Sequence, residues 1–420
     1  MRIAALGLLI LLFAGDPAAA RAQAWVQYVQ GGAQVRAITA AATCPEVIID
    51  GRAQPMRLRA GPAPAFGDRV CQVDLPAGAR RARLDGRALP LPVRRPRRIM
   101  IFGDTGCRLK DGAYQACNDP RAWPFAAVAR LAAAQHPDLV IHVGDYYYRE
   151  SPCPAPDKGC AGTPSGDNWA SWRADFFDPA APLLAAAPWV FVRGNHESCG
   201  RGGAGWFRML DAAAQVTACP AASPPFTVDL GGLNLYVLDS AAASDPDAPP
   251  AKVAAMAAQL DALKSELATR PGWILTHRPI WGLTPVARLG SLGPLEAPIN
   301  RTQQVAVAGR DLSAVQMVVS GHIHHFASFS FGPARPAQLI AGTGGDVGEW
   351  ADTPMVRDTT PTIDGITARR LSFERYGYFL LDRDGADWVG VFRDLDNRLV
   401  ANCRLHGRAL VCWGAKPGTP

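Results

Sequence analysis

No apolar stretch in this 420-residue chain reaches the roughly 20 residues that cross a bilayer, which argues against a membrane-embedded body. Neither sign of charge dominates: 43 Lys and Arg stand against 37 Asp and Glu, a surplus of +6. Over this length such a surplus falls far below the concentrated basic field that a nucleic acid duplex requires, so no nucleic acid partner is expected. Charged residues are sparse at 19%, while 48% are hydrophobic. That balance supplies a substantial core and excludes a disordered chain. Internal repeats and low-complexity tracts are absent as well. At about 150 residues per domain, the length fits two or three units, or one large catalytic domain with a small companion.

The longest apolar run, Ile3 to Gly15, follows Arg2 and gives way to small residues up to Ala22. It is too short to span a bilayer, and Ala20-Arg21-Ala22 fits a small-x-small cleavage site. The pattern predicts a signal peptide over residues 1–22, a mature start near Gln23, and a secreted or periplasmic protein. The first cysteine is Cys44, so no lipid-anchor cysteine follows the cleavage point. In an exported chain the ten cysteines read as disulfides rather than thiolate ligands. Their spacing groups them as Cys44 with Cys71, Cys107 with Cys117, Cys153 with Cys160, Cys199 with Cys219, and Cys403 with Cys412. Asn300-Arg301-Thr302 is a formal glycosylation triplet.

Composition divides the rest. Short strand-like stretches between Pro, Gly and Ala turns predict a small all-β domain, which with a basic, proline-containing linker from Arg80 to Arg98 spans residues 23–95. The eight arginines of that linker are read as a solvated strand and connector rather than a grip on a polyanion or an anionic membrane surface. From residue 96 to 420, apolar strands alternate with helical patterns, as expected of a layered α/β fold with parallel sheet. Candidate strands are Ile99–Gly103, Leu139–Gly144, Trp189–Arg193, Leu233–Leu238, Trp273–Thr276 and Met317–Ser320. Val253, Met256, Leu260, Leu263 and Leu267 follow helical spacing. The segment after Tyr376 reads as consecutive antiparallel strands.

Open α/β sheets place ligands beyond the carboxyl ends of their strands, and five polar blocks stand there. They are Gly103-Asp104-Thr105-Gly106, Gly144-Asp145-Tyr146-Tyr147-Tyr148, Gly194-Asn195-His196-Glu197, Thr276-His277-Arg278-Pro279 and Gly321-His322-Ile323-His324-His325. Singly, each has a bland explanation as a turn or a capped loop. Jointly they bring five of the eight histidines, two carboxylates and an amide to one sheet edge. Nitrogen and oxygen donors without thiolate suit Fe, Zn or Mn, and seven or eight ligands exceed what one ion accepts. Two metal ions are therefore expected, with Asp145 the bridge between them, and the natural reaction of such a pair is displacement at phosphorus.

These blocks resemble those of the calcineurin-like metallophosphoesterases, most closely the purple acid phosphatases, over roughly residues 97–345. Gaps of 41, 50, 82 and 45 residues separate Asp104, Asp145, Asn195, His277 and His322. The resemblance implies a four-layer α/β/β/α sandwich, preceded here by the small all-β domain. It implies Asp104, Asp145, Tyr148 and His324 on the first metal and Asp145, Asn195, His277 and His322 on the second, with His196 beside the substrate as the catalytic residue and Glu197 orienting it. The wider superfamily begins with Asp-x-His, whereas this chain has Asp104-Thr105-Gly106. The purple acid phosphatases share that glycine and carry a tyrosine three residues after the bridging aspartate, here Tyr148, with Tyr146 and Tyr147 as packing aromatics. A phenolate ligand implies Fe(III) at that site, with Fe, Zn or Mn at the second. The chain departs from the purple acid phosphatases after the last histidine block, where His325-Phe326-Ala327-Ser328 replaces a Tyr-Glu-Arg element. His325, Arg201 and Arg278 are open between phosphate contact and surface roles, and Gly342-Thr343-Gly344-Gly345 reads as a tight turn near the site. The expected function is hydrolysis of small-molecule phosphate monoesters by a metal-bound hydroxide. Alternatives are a Mn or Zn phosphodiesterase, or a non-catalytic metal- or surface-binding protein.

Overall fold

The computed structural model describes residues 22–110, 112–214, 218–288, 294–348 and 357–415. The leader expected over residues 1–22 lies outside the described residues up to position 21.

Two sheets dominate. The first has eleven strands. A hairpin, β1 (Gln23–Val29) and β2 (Gly32–Thr39), flanks a parallel centre of β3 (Arg98–Phe102), β4 (Leu139–His142) and β5 (Trp189–Phe191). The register sets Ile101 opposite Ile141, and Gln27 opposite Trp189. On the far side β3 pairs antiparallel with Gly377–Asp384, which begins the expected C-terminal meander through Ala409–Gly414. The second sheet has eight strands, and its parallel run is β6 (Asn234–Val237), β7 (Gly272–Leu275), β8 (Val315–Ser320) and β9 (Ala337–Ala341). Each expected strand of the catalytic region appears within a residue or two of its expected limits.

Alternation along the strands explains the layers, because successive side chains of a strand point to opposite faces. Ile99, Ile101, Leu139, Ile141 and Val190 of the first sheet meet Leu235, Val237, Trp273, Leu275, Met317 and Val319 of the second in one buried cluster. Met100, Phe102, Val140 and Phe191 turn the other way, onto α1 (Phe125–Ala133) and α2 (Asp178–Leu184). Tyr236, Ile274 and Val318 likewise pack on α3 (Pro250–Ala262) and α4 (Arg301–Val307). The result is the α/β/β/α sandwich. The helical spacing from Val253 to Leu267 is realised as α3 and a second helix, Lys264–Thr269, separated by a break at Leu263.

The N-terminal strands divide. Glu46–Ile49, Arg52–Pro55, Ala82–Leu84 and Arg87–Ala88 form a four-stranded sheet of their own. β1, β2, Arg57–Ala60 and Arg69–Leu75 instead continue the edge of the large sheet, and part of the expected connector is the hairpin of Ala82–Leu84 with Arg87–Ala88. Two buried arginines tie this edge to the catalytic region. Arg36 donates to the carbonyls of Met209 and Asp211 at 2.7 Å each. Arg59 donates to those of Phe207, Arg208, Asp211 and Ala213 at 2.9–3.0 Å. All five expected cysteine pairs are bonded. Asn300 is fully buried before α4, which closes the glycosylation triplet to a glycan.

Replacing Arg59 with methionine strips a donor from four buried or half-buried carbonyls, of which Asp211 O keeps Arg36. The expected loss is about 3 kcal/mol, from hydrogen bonds to a charged group and the unpaired acceptors left behind. It is read as a lower denaturant midpoint at unchanged slope.

Candidate metal centre

The five blocks converge where the strands of both sheets end. Their backbones are fastened to one another. Asp104 N–H donates to Gly144 O and Thr105 N–H to Asp145 O, both at 2.9 Å. Gly321 N–H reaches His277 O at 2.9 Å, and Gly344 N–H reaches Gly103 O at 2.8 Å. Asp104, Asp145 and His322 take left-handed backbone conformations, with φ of 57°, 62° and 71°. This is an uncommon state for non-glycine residues, and it persists where the surroundings enforce it. The Gly342–Gly345 segment packs on the Asp104 turn, as expected.

Two buried carboxylates hold the tyrosine run in place. Glu197 accepts N–H bonds from Gly194 and Asp145 on one oxygen, at 3.0 Å each, and from Tyr146 and Tyr147 on the other, at 2.8 and 3.2 Å. Asp175 accepts those of Tyr148 and Arg149, at 2.9 and 3.2 Å, and pairs with the Arg149 guanidinium. Glu197 therefore does not orient His196; four backbone donors consume its acceptor capacity.

With the backbone so held, the Tyr148 hydroxyl lies 2.7 Å from Asp145 Oδ2, 3.3 Å from Asp104 Oδ1 and 3.1 Å from His324 Nε2. Tyr146 points away, to Val192 O, and Tyr147 stacks on Trp172. Gly106 makes this possible: a Cβ there falls 2.7 Å from Tyr148 Cδ2 and 2.8 Å from its backbone nitrogen. A second close approach requires Gly194, where a Cβ falls 2.0 Å from Asp145 Oδ1.

On the other side of Asp145, His277 Nε2 stands 3.2 Å from Asp145 Oδ2 and 3.0 Å from Asn195 Oδ1. Its Nδ1 is 2.8 Å from Val143 O, so Nδ1 carries the proton and Nε2 is left as a donor atom for a ligand. Asp145, His277 and His322 each bring a ligand atom within 4.8 Å of the others. His196 lies against Tyr148, ring centroids 3.7 Å apart and planes tilted by 37°. Its Nδ1 is 2.5 Å from Glu150 Oε1, and Arg201 joins the same carboxylate at 2.5 Å.

Sequence reasoning missed four charged residues at this site. Asp245 lies 3.1 Å from His322 Nε2 and pairs with Arg278. Asp346 lies 3.4 Å from His324 Nδ1 and pairs with Arg108 at 2.5 Å. Glu150 is the fourth, and the only one with a local signal, since it stands two residues beyond the Asp145 block. Arg201 and Arg278 are thus held by carboxylates at the site. His325 is buried; burial and the charge of Arg370 hold its pKa down to about 3.

The electrostatics favour cations. Burial alone raises the Asp145 pKa, yet the charges of His277 and His196 hold it well below the usual carboxylate range. Burial also opposes a charge on His324, but Asp346 and Asp104 overcome it and raise its pKa to about 10. His277 is raised for the same reason, by Asp145 and Asp104 against burial. Both rings are thus drawn towards positive charge by carboxylates buried beside them. Burial, Asp145 and Asp104 push the Tyr148 phenol well above its ordinary value, so its ionisation needs a compensating positive ion. Hard nitrogen and oxygen donors in a buried, electron-rich cluster fit divalent or trivalent metal ions.

Residues 97–326 match the family model of the calcineurin-like phosphoesterases. The chain belongs to that family. Phosphoesterases of this family bind two metal ions and hydrolyse phosphoric esters. The chain is similar in fold to a purple acid phosphatase from yellow lupin (Lupinus luteus) seeds, with a TM-score of 0.55 at 14% identity, over 93% of this chain and 74% of that one. It is equally similar to PhoD, with a TM-score of 0.55 at 12% identity, over 94% of this chain and 92% of that one. No curated protein sequence matches the chain. No helix among the described residues is long and apolar enough to cross a membrane.

Glutamine at position 197 offers one acceptor oxygen and turns an NH2 group on two of the four N–H donors. Glu197→Gln is expected to cost about 2–4 kcal/mol. Bound metal should fall in the same sample, as measured by thermal unfolding and elemental analysis.

Proposed function

We propose that this calcineurin-like phosphoesterase is an exported phosphomonoesterase of the purple acid phosphatase type. The observation that carries the reading is the Tyr148 hydroxyl, which meets Asp145, Asp104 and His324 in a space that Gly106 leaves free. Asp104, Asp145, Tyr148 and His324 would hold one ion, Fe(III) by the hardness of a phenolate. Asp145, Asn195, His277 and His322 would hold the other, which is Fe, Zn or Mn. Bound there, the two ions supply Lewis acidity towards the phosphoryl oxygens and water.

The protein's own groups do the rest. Asp145 sits between the two sets and fixes their separation. Val143 O and Val347 O fix His277 and His324, with Asp346 3.4 Å from the same His324 nitrogen, and the Asp245 carboxylate fixes His322, since the partner of the second ring nitrogen sets orientation and basicity. His196 lines the pocket beside Tyr148, Asn195 and Asp145. Glu150 holds its Nδ1, and the Arg201 guanidinium lies 2.8 Å from its Nε2, so the two groups stand together at the edge where an ester oxygen would leave. There His196 stabilises or protonates that oxygen. The five disulfides and the short apolar N-terminal run support export to an oxidising compartment.

The visible spectrum of the oxidised, metal-analysed protein should contain a phenolate-to-iron charge-transfer band, absent in Tyr148→Phe. A colourless, active protein containing only Zn or Mn would overturn the iron assignment. His196→Ala should lower kcat on aryl monophosphates by about 10²- to 10⁴-fold with bound metal retained; an unchanged kcat refutes the role. Faster turnover of aryl diesters than of monoesters would move the reading to a phosphodiesterase.

A further inference from the structure

The net charge of the molecule is concentrated in one place. Residues 80–98 contain eight arginines and one aspartate, a net +7 within a chain whose total is +6, so all other residues together carry −1. Seven of the eight arginines, Arg80, Arg81, Arg83, Arg87, Arg94, Arg95 and Arg97, are exposed. Arg98 is half-buried and pairs with Asp382 at 2.7 Å. None of the seven forms an ion pair with a described residue.

The acidic groups beside the segment serve its backbone instead. Asp50 accepts the N–H groups of Arg80 and Arg81 at 3.0 and 2.9 Å. Asp138 accepts those of Arg97 and Arg98 at 2.7 and 3.0 Å. The main chain is thereby fixed. Arg87 and Arg95 donate to the carbonyls of Ala22 and Gly231, at 2.9 and 2.7 Å, while the guanidinium groups of Arg80, Arg81, Arg83, Arg94 and Arg97 make no hydrogen bond to a described residue. Like charge is crowded enough that Arg95 contributes, after burial, to lowering the pKa of Arg383. Two apolar side chains are exposed among the arginines. Val93 precedes Arg94 at 41% exposure, and Ile48, also 41% exposed, stands directly opposite Arg83 in the small sheet.

The position is as informative as the charge. β3 begins at Arg98 and delivers Asp104 past its other end, so at about 3.3 Å per residue Arg98, where the basic segment ends, lies about 20 Å from the Asp104 turn along the strand direction. A surface bound at the segment leaves the pocket open on the opposite end of the sheet.

We propose that residues 80–98, with Ile48, form a docking face for an anionic phospholipid surface. Guanidinium groups bind phosphate oxygens in bidentate fashion, which lysine does not match, and this segment contains arginine alone. Val93 and Ile48 suit the boundary between headgroups and acyl chains, for which a soluble polyanion has no counterpart. The enzyme would then be held at the surface with its site facing solution.

Cosedimentation with vesicles tests this directly, using phosphatidylcholine vesicles with and without about 30% phosphatidylglycerol at low salt. The protein should pellet only with the anionic vesicles and be released as salt shortens the Debye length. Each arginine removed should weaken partitioning about fivefold. A combined Arg80→Gln, Arg81→Gln, Arg83→Gln and Arg94→Gln variant should therefore stay in the supernatant, with turnover of an aryl phosphate and melting temperature unchanged. Equal pelleting with neutral vesicles, or a folded variant that still pellets, overturns the proposal. So does retention on a sulfated polysaccharide without vesicle binding, which would assign the face to a polysaccharide.

Discussion

Two carboxylates buried side by side govern this molecule. Asp104 and Asp145 are almost completely removed from water, and both sit in left-handed backbone on adjacent turns. Such a pair is unfavourable unless positive charge or hydrogen-bond donors compensate it. The surroundings supply both. His322 N–H and the Tyr148 hydroxyl reach Asp104, while His196 N–H, the same hydroxyl and His277 reach Asp145. Around them a second ring of carboxylates, Glu197, Asp175, Asp245 and Asp346, pins either a backbone segment or an imidazole. The site is a nested arrangement in which each charged group is positioned by one of opposite polarity further out.

The inner ring was legible in the sequence and the outer ring was not. Asp104, Asp145, Asn195, His277 and His322 each follow an apolar strand, so strand-end position and donor chemistry marked them together. Asp245 carries no such mark. It meets His322 across 77 residues of chain, and Asp346 meets Arg108 across 238. Glu197 stood inside a recognised block, yet its role was misread, because side-chain pattern says nothing about which backbone N–H groups a carboxylate will accept. Tyr148 was separable from its two neighbours by its spacing from Asp145, and the structure gives that spacing a cause in the N–H bonds to Glu197 and Asp175.

The fold shows the same division. Alternating apolar residues foretold the parallel strands and both faces of each sheet. Short strands between turns read alike whether they close a separate sheet or extend a larger one, and residues 23–75 do some of each. What decides the matter is remote in sequence: Arg36 and Arg59 bind carbonyls about 150 or more positions away. The cysteine pairs were readable because each couple is local, and Cys403 with Cys412 are direct cross-strand neighbours in the meander.

The contact between Gly106 and Tyr148 constrains how this ligand set can change over time. The space beside Asp104 accommodates one substantial group, a tyrosine ring approaching from the second block or a side chain rising from the first. Enlarging position 106 alone overfills it, and shrinking position 148 alone empties it. A lineage moving between a phenolate and an imidazole at this corner must therefore alter two positions 42 residues apart, with the intermediate sequence either crowded or short of a donor. The glycine thus leaves open the volume that the Tyr148 ring fills, and the two positions are tied to one another by space alone.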